Sequence, residues 1–274
     1  MQDAVERAID TMWSRYDEPL SLADMADTAI LSKFYFSRVF RTLTGTSPGR
    51  FLTAIRLSKA KQLLLETSLS VTEISYMVGY NSLGTFTSRF TRSVGVSPAR
   101  YRALSGEGVL SLSAFPGPAR AHQGGAVCGW VDVPDTGTPV RVYVGAFKDP
   151  IAQGLPSACD IRDGAGPYRL DSVPEGQWFI RAAVVAVHDL DPQPSKRRPL
   201  LIGAAESITV RAGRTAEADI ETRLSRLLDL PILLALPELD CVIGSTVSNG
   251  PTPSGGSAAW ESAAHGARFA DRKA

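Results

Sequence analysis

Six residues of this chain recur 50 positions further on: Phe36, Phe40, Gly45, Ser47, Pro48 and Phe51 return as Phe86, Phe90, Gly95, Ser97, Pro98 and Tyr101. Upstream, Leu22-Ala23-Asp24-Met25 matches Val71-Thr72-Glu73-Ile74 with one residue of slippage. A repeat of this length is one supersecondary unit used twice. Each copy reads as a short helix, a turn, a second helix and a glycine turn. Ser47-Pro48 and Ser97-Pro98 then open a further helix, with Ser as the N-cap and Pro at the first helical position. Ser70 and Glu73 have the spacing of a capping box at the start of the second copy. Between the copies, Pro48 to Glu66 reads as one long helix. Two short helices joined by a tight turn form a helix-turn-helix, whose second helix can enter a major groove. Two copies joined by a helix would reach groove segments about one duplex turn apart, roughly 34 Å.

The second helix of each copy can be read by angle, at about 100° per residue. In the first copy Phe36, Val39, Phe40 and Leu43 fall on one face and predict its core side. Phe34, Ser37, Arg38 and Arg41 fall opposite, with Lys33 beside them. Arg38 suits bidentate pairing with guanine, and Phe34 suits contact with a thymine methyl. Ser37 suits a base or a phosphate, and Lys33 and Arg41 suit phosphates. In the second copy Phe86 and Phe90 hold the core face, while Gly84, Thr87, Ser88 and Thr91 look outward and are all small. Arg89 falls where the first copy has Val39, so it is expected along the flank, with Arg92 more exposed. Residues 32–43 are therefore expected to do most of the base reading, and residues 82–93 to grip the backbone.

Charge is distributed to match. Residues 1–104 carry 13 Lys and Arg against 9 Asp and Glu, and the rest of the chain carries 16 against 19. Thr28 to Leu65 holds seven bases and no acid, and Ile74 to Arg102 four bases and no acid. On charge alone such zones read equally as a phosphate-binding surface or a solvated helical face. The repeat favours the first.

The ordered set of matches from about Ser21 to Arg102 resembles the AraC/XylS family of bacterial transcription regulators. It includes Ser37-Arg38-Val39-Phe40, the turns Gly45–Pro48 and Gly95–Pro98, Arg56-Leu57, Ala60, Leu63-Leu64, Gly79-Tyr80 and Tyr101-Arg102. The resemblance implies seven helices, two helix-turn-helix units and control of transcription, often as an activator. By the same resemblance Phe34, Ser37 and Arg38 match base-contacting positions, and Leu83, Gly84 and Ser88 occupy the corresponding places in the second unit. Members usually carry polar residues and an Arg there, so this second unit departs from the pattern. Arg56 reads as a structural ion-pair residue. Family members commonly place a cupin-like sensor first; here the helix-turn-helix pair is expected to come first, without it.

From about Ser105 the texture changes to Gly, Pro, Val and aromatics. Seven strands are predicted, at Ala126–Val131, Val140–Phe147, Ala158–Ile161, Tyr168–Leu170, Gln177–Val187, Ser207–Arg211 and Thr215–Ile220. The expected fold is an all-α double helix-turn-helix domain followed by an all-β sandwich. The expected layout is 1–104 for the helical domain, 105–125 for a linker, 126–245 for the sandwich and 246–274 for a disordered tail. The hairpin Gly166–Leu170 with Val173–Trp178 resembles carboxypeptidase regulatory or transthyretin-like domains, with Tyr168 and Trp178 expected in the core. Such modules bind or pack rather than catalyse, which gives the sandwich a sensing or assembly role. The apolar stretch Leu227–Leu239 reads as a strand or a docking segment; an exposed patch there would favour a homodimer.

Cys128, Cys159 and Cys241 are too scattered for a disulfide framework and fit a reducing cytoplasm. His122, His188 and His265 are isolated. No metal, cofactor, catalytic residue or membrane span is expected. The expected partners are double-stranded promoter DNA, RNA polymerase and an effector of unknown identity. The alternatives are a DNA-binding unit fused to a protein-interaction module, or to an alkyl-transfer enzyme. The enzyme would need a reactive Cys in a Pro-Cys-His-Arg setting, which none of the three has.

Overall fold

The computed structural model describes residues 1–106, 124–149, 151–186 and 200–233. Seven helices come first among them: α1 (Gln2–Ser14), α2 (Leu22–Thr28), α3 (Lys33–Thr44), α4 (Pro48–Glu66), α5 (Val71–Met77), α6 (Leu83–Val94) and α7 (Pro98–Gly106). Local chemistry sets their ends. Ser21 with Asp24 and Ser70 with Glu73 each form a reciprocal capping box at the starts of α2 and α5. These satisfy amide donors that a helix start otherwise leaves open. Ser47 accepts from the Arg50 amide at 3.4 Å and Ser97 from the Arg100 amide at 3.3 Å, and each is followed by its helix-opening proline. Gly45 (φ 74°) and Gly95 (φ 98°) close α3 and α6 in the left-handed conformation that glycine adopts without steric cost.

Each helix-turn-helix has its own core. Around the first, Phe36, Phe40 and Phe51 meet edge to face, with centroids 5.4 Å apart at both steps. Around the second, Phe86 and Phe90 lie 5.7 Å apart and Phe90 and Tyr101 5.8 Å. All six rings are fully buried. Such aromatic pairs add about 0.5–1.5 kcal/mol each beyond the area they bury. The predicted core face of α3 needs one correction. Leu43 is 37% exposed and Val39 only half-buried, while Thr44 turns inward and donates to the carbonyls of Phe40 and Thr46. Leu43 stands in the last turn of α3, which ends one residue later at Thr44.

Nine strands follow: β1 (Gly125–Asp132), β2 (Val140–Phe147), β3 (Cys159–Asp163), β4 (Gly166–Val173), β5 (Gly176–Ala186), β6 (Leu201–Ala204), β7 (Ile208–Val210), β8 (Thr215–Glu217) and β9 (Ile220–Leu224). They form one sheet path in the order β3-β2-β5-β6-β9-β1-β4, with β7 added to β5 and β8 to β1. The two end strands, β3 and β4, are consecutive in the chain, so the path curls until it nearly closes. The core lies inside, built on Val127, Val142, Tyr168, Leu170, Trp178, Ile180 and Ile220. Tyr168 and Trp178 are buried as expected, their polar ends donating to the carbonyls of Ala218 and Pro174.

Two strand expectations are corrected. Thr215–Ile220 is two strands, β8 and β9, because the chain breaks at Ala218-Asp219. There Ala218 donates to the Cys128 carbonyl and Asp219 accepts from the Trp130 amide. Gly129 admits this break: a Cβ on it would fall 2.1 Å from the Ala218 carbonyl oxygen. The short strand β6 carries too little alternation to be read from sequence. The three histidines, Cys241, most of the 105–125 segment, Leu234–Leu239 and the 246–274 tail lie outside the described residues.

After β9 the chain returns to the helices. Residues 225–233 form an irregular strap whose base is stapled by Asp229. Its carboxylate accepts from the Arg223 guanidinium at 2.7 and 2.8 Å and from the Arg226 amide at 2.6 Å. Burial pushes the Asp229 carboxyl up, yet these bonds together hold it below the usual carboxylate range. Leu228 packs on the first helical core, Leu230 on both, and Leu233 is buried in the second. The described part of Leu227–Leu239 is therefore a docking segment: Leu228, Leu230, Ile232 and Leu233 are partly or fully covered within the chain, while Leu227 stays exposed.

Candidate nucleic-acid interface

The two reading helices are placed by their cores. Phe36 and Phe40 pin α3 through one face, which leaves Lys33, Phe34, Arg38 and Arg41 exposed on the other and Ser37 half-buried at the margin. Phe34 is 92% exposed, an unusual position for a ring in a folded chain. The Arg38 guanidinium sits 5.3 Å from the Tyr35 ring centroid, within cation–π range. That contact restricts the arginine without masking its hydrogen-bonding edge. No acid lies on α3, and Asp27 is the last before it in the chain.

On α6 the exposed edge carries Leu83, Gly84, Ser88, Arg89 and Arg92, with Thr87 half-buried. Leu83, Gly84, Thr87, Ser88, Thr91 and Arg92 line one shallow open depression. A Cβ on Gly84 would meet only the Ser82 hydroxyl, at 3.9 Å, so the start of α6 has open space above it. Arg89 leans toward Tyr80. Burial pushes the Tyr80 hydroxyl up, and the Arg89 and Arg56 charges beside it oppose that rise.

Arg56 is structural, with a correction to its partners. It donates to the carbonyls of Tyr16 and Glu18, both at 2.6 Å, rather than pairing with a carboxylate. Burial lowers its affinity for the proton. Arg102 does the same work in the second unit, donating to the carbonyls of Leu64 and Leu69 at 3.1 and 2.6 Å. Each guanidinium thus ties the helix that follows a helix-turn-helix back to the chain that leads into that same unit.

Sequence reading passed over Ile30. It lies in the turn before α3, at φ 58° and 81% exposed. A β-branched residue rarely adopts this conformation. The same position in the second copy, 49 residues on, is Gly79 at φ 79°. A Cβ on Gly79 would strike the Asp17 and Tyr16 carbonyl oxygens at 2.7 and 2.9 Å. The signal was available in the one-residue slippage of the repeat, which aligns a glycine with an isoleucine.

The geometry is that of a paired helix-turn-helix nucleic-acid reader. A helix-turn-helix domain family matches residues 25–104. The raffinose operon transcriptional regulatory protein of Pediococcus pentosaceus is 36% identical over 99 residues, covering 36% of each chain. The melibiose operon regulatory protein of Escherichia coli strain K12 is 31% identical over 102 residues, covering 37% of this chain and 33% of its own. The lactose operon transcription activator of Staphylococcus xylosus is 29% identical over 102 residues, covering 37% of both. The chain thus spans about a third of the length of these curated relatives. Among solved structures, the DNA-binding domain of AdpA in complex with a target DNA is 32% identical, covering 35% of this chain and 87% of its own, with a TM-score of 0.35. The N-terminal part of the chain is an AraC-type helix-turn-helix DNA-binding domain.

Among the described residues no three His, Cys, Asp or Glu side chains gather as a metal site, and no helix is long and apolar enough to cross a membrane. Cys128 is a free thiol, and both it and Cys159 are half-buried. Burial, with Glu217 beside it, pushes the Cys128 thiol up, which disfavours the thiolate that a nucleophile requires.

Proposed function

We propose that this protein is a sequence-specific, DNA-binding transcription regulator, with α3 as the principal base reader and α6 as the backbone grip. The observation that carries the reading is the edge of α3: Lys33, Phe34, Arg38 and Arg41 exposed together on an acid-free helix held from behind by Phe36 and Phe40. Arg38 and Phe34 read bases, Ser37 bonds a base or a phosphate, and Lys33 and Arg41 hold phosphates. On α6 the small residues Gly84, Thr87 and Ser88 let the duplex come close, Leu83 adds apolar contact, and Arg89 and Arg92 supply charge. Promoter DNA is the target, RNA polymerase the functional partner, and the bacterial cytoplasm the compartment. The β part is a non-enzymatic carboxypeptidase regulatory or transthyretin-like module for sensing or assembly.

Selection of bound duplexes from a random library, followed by gel-shift titration against salt, tests this. Arg38→Ala is expected to weaken the selected site by about tenfold to a hundredfold and to relax one base position. Arg92→Ala is expected to weaken all duplexes alike and to flatten the salt slope by about one. Specific binding left intact by Arg38→Ala removes the reading. Solution mass of the full chain shows whether a homodimer forms.

A further inference from the structure

Two segments of the β part reach the helical domain, and they meet each other. The first is the loop after β2. Its Gly154 amide donates to the Ser93 carbonyl at 2.7 Å, at the last turn of α6, and Leu155 packs where a Gly95 Cβ would point, 3.0 Å away. The second is the strap 225–233, which lies along both helical cores through Leu228, Leu230 and Leu233. The Lys61 ammonium of α4 donates to the Ile232 carbonyl at 3.4 Å. Both segments rest on one apolar cluster on the outer face of β2 and β5. Ala152 from the loop and Ile232 from the strap pack there on Tyr143, Phe147, Ala183 and Val185. The crevice among these residues is small, about 30 Å³ and room for only a few water molecules, so the two arms lie side by side over it. Meanwhile Leu83, Gly84, Ser88, Arg89 and Arg92 all stay exposed with the arms in place. The contact supports α6 without covering its reading edge.

We propose that the β part is a brace that fixes the register between the two reading helices, with Leu155 and Ile232 as its positioning residues. The strap fills the seam between the two helical cores, so neither unit can turn against the other without withdrawing Leu230. The loop holds the far end of α6, so the second unit is fixed at two points. Splaying the arms releases the second unit at both points, whereas the first unit loses only the strap's Leu228 and Leu230. This role rests on the DNA reading above for its consequence, but not for its mechanics.

The test uses the full chain with Leu155→Ser, Ile232→Ala and the pair together. Val142→Ala is the comparison, because it thins the buried β core without touching either arm. Hydrogen exchange without DNA is measured first. The brace predicts that amides of the last turn of α6 and of Gly95 exchange about tenfold faster in the arm variants, with α3 affected much less. Val142→Ala should leave both helices unchanged. Equal acceleration in α3 and α6, or none in α6, overturns the brace.

Register discrimination is measured second, on duplexes selected by the unaltered chain and given a one-nucleotide bulge between the bases under α3 and the backbone under α6. The bulge displaces the phosphates that α6 grips relative to the bases that α3 reads. The unaltered chain and Val142→Ala are expected to lose at least tenfold in affinity, whereas the paired arm variant loses less than threefold. Leu155→Met should restore the discrimination. Equally sharp discrimination by the paired variant overturns the register role. Should the unaltered chain select no duplex, the proposed function falls, and the exchange experiment still decides the brace.

Discussion

The two helix-turn-helix units share a scaffold and differ at their surfaces. Phe36, Phe40 and Phe51 and their counterparts Phe86, Phe90 and Tyr101 are buried alike, and the glycine and Ser-Pro turns coincide. The exposed edges have nothing in common beyond charge: α3 shows a phenylalanine, a stacked arginine and two further bases, and α6 shows a glycine, small hydroxyls and a leucine. The turns also differ, with Ile30 in one and Gly79 in the other at the same backbone conformation. Burial constrains shape, so duplicated cores stay alike. Exposed edges are constrained only by what they meet, and here they have been put to different uses.

The largest expected effects test whether the scaffolds are equivalent. Phe36→Ala and Phe86→Ala should each cost about 3–5 kcal/mol in denaturant unfolding, since each opens a cavity in a fully buried ring cluster. A difference above about 2 kcal/mol would mean that one core dominates. Next, the edges should separate. Arg38→Ala is expected to cost about 1–3 kcal/mol in specific binding, and Ser88→Ala less than about 0.5 kcal/mol by the same titration. A similar loss at both would erase the division of labour.

The turns should then respond in opposite directions. Gly79→Ala, with its Cβ driven into two carbonyl oxygens, is expected to cost about 1–3 kcal/mol. Ile30→Gly relieves a left-handed β-branched residue and is expected to gain up to about 1 kcal/mol, net of the freer unfolded chain. If Ile30→Gly also weakens DNA binding, the exposed side chain is itself a contact. The smallest effect is shared. Backbone and hydroxyl bonds to Ser21 hold Asp24 below the usual carboxylate range, and those to Ser70 do the same for Glu73. A lowered native pKa means stability present above the unfolded value and lost as pH falls through the native one. Both capping boxes should therefore loosen on acidification, as amide exchange at the starts of α2 and α5 would show.

How much of this was legible follows from range. Caps, glycine turns and ring spacing act within a few residues, so the repeat displays them, and α4 runs from Pro48 to Glu66 as read. Leu43 misled because angle alone ignores where a helix stops. The reader edge on α3 was legible as polar and basic residues set against a phenylalanine pair. The Arg56 and Arg102 ties were not, since they bind carbonyls 33 to 40 residues away that carry no side-chain signature. The split of Thr215–Ile220 was hidden for the same reason: its cause is a close approach to Gly129, far off in the chain. The strap was visible as an apolar stretch, but its seat on the helices was not.

That strap has a consequence for synthesis. Residues that complete the helical cores are translated last among the described ones, well after α7 has left the ribosome. At about 5–20 residues per second, the interval between Gly106 and Leu233 is on the order of ten seconds. Throughout it the nascent helical bundle stands with its seam open, apolar and unclosed. A newly made chain thus lacks the strap's contacts to its helical cores until Leu233 has emerged, which ties the final packing of the DNA-binding part to the β part made before the strap.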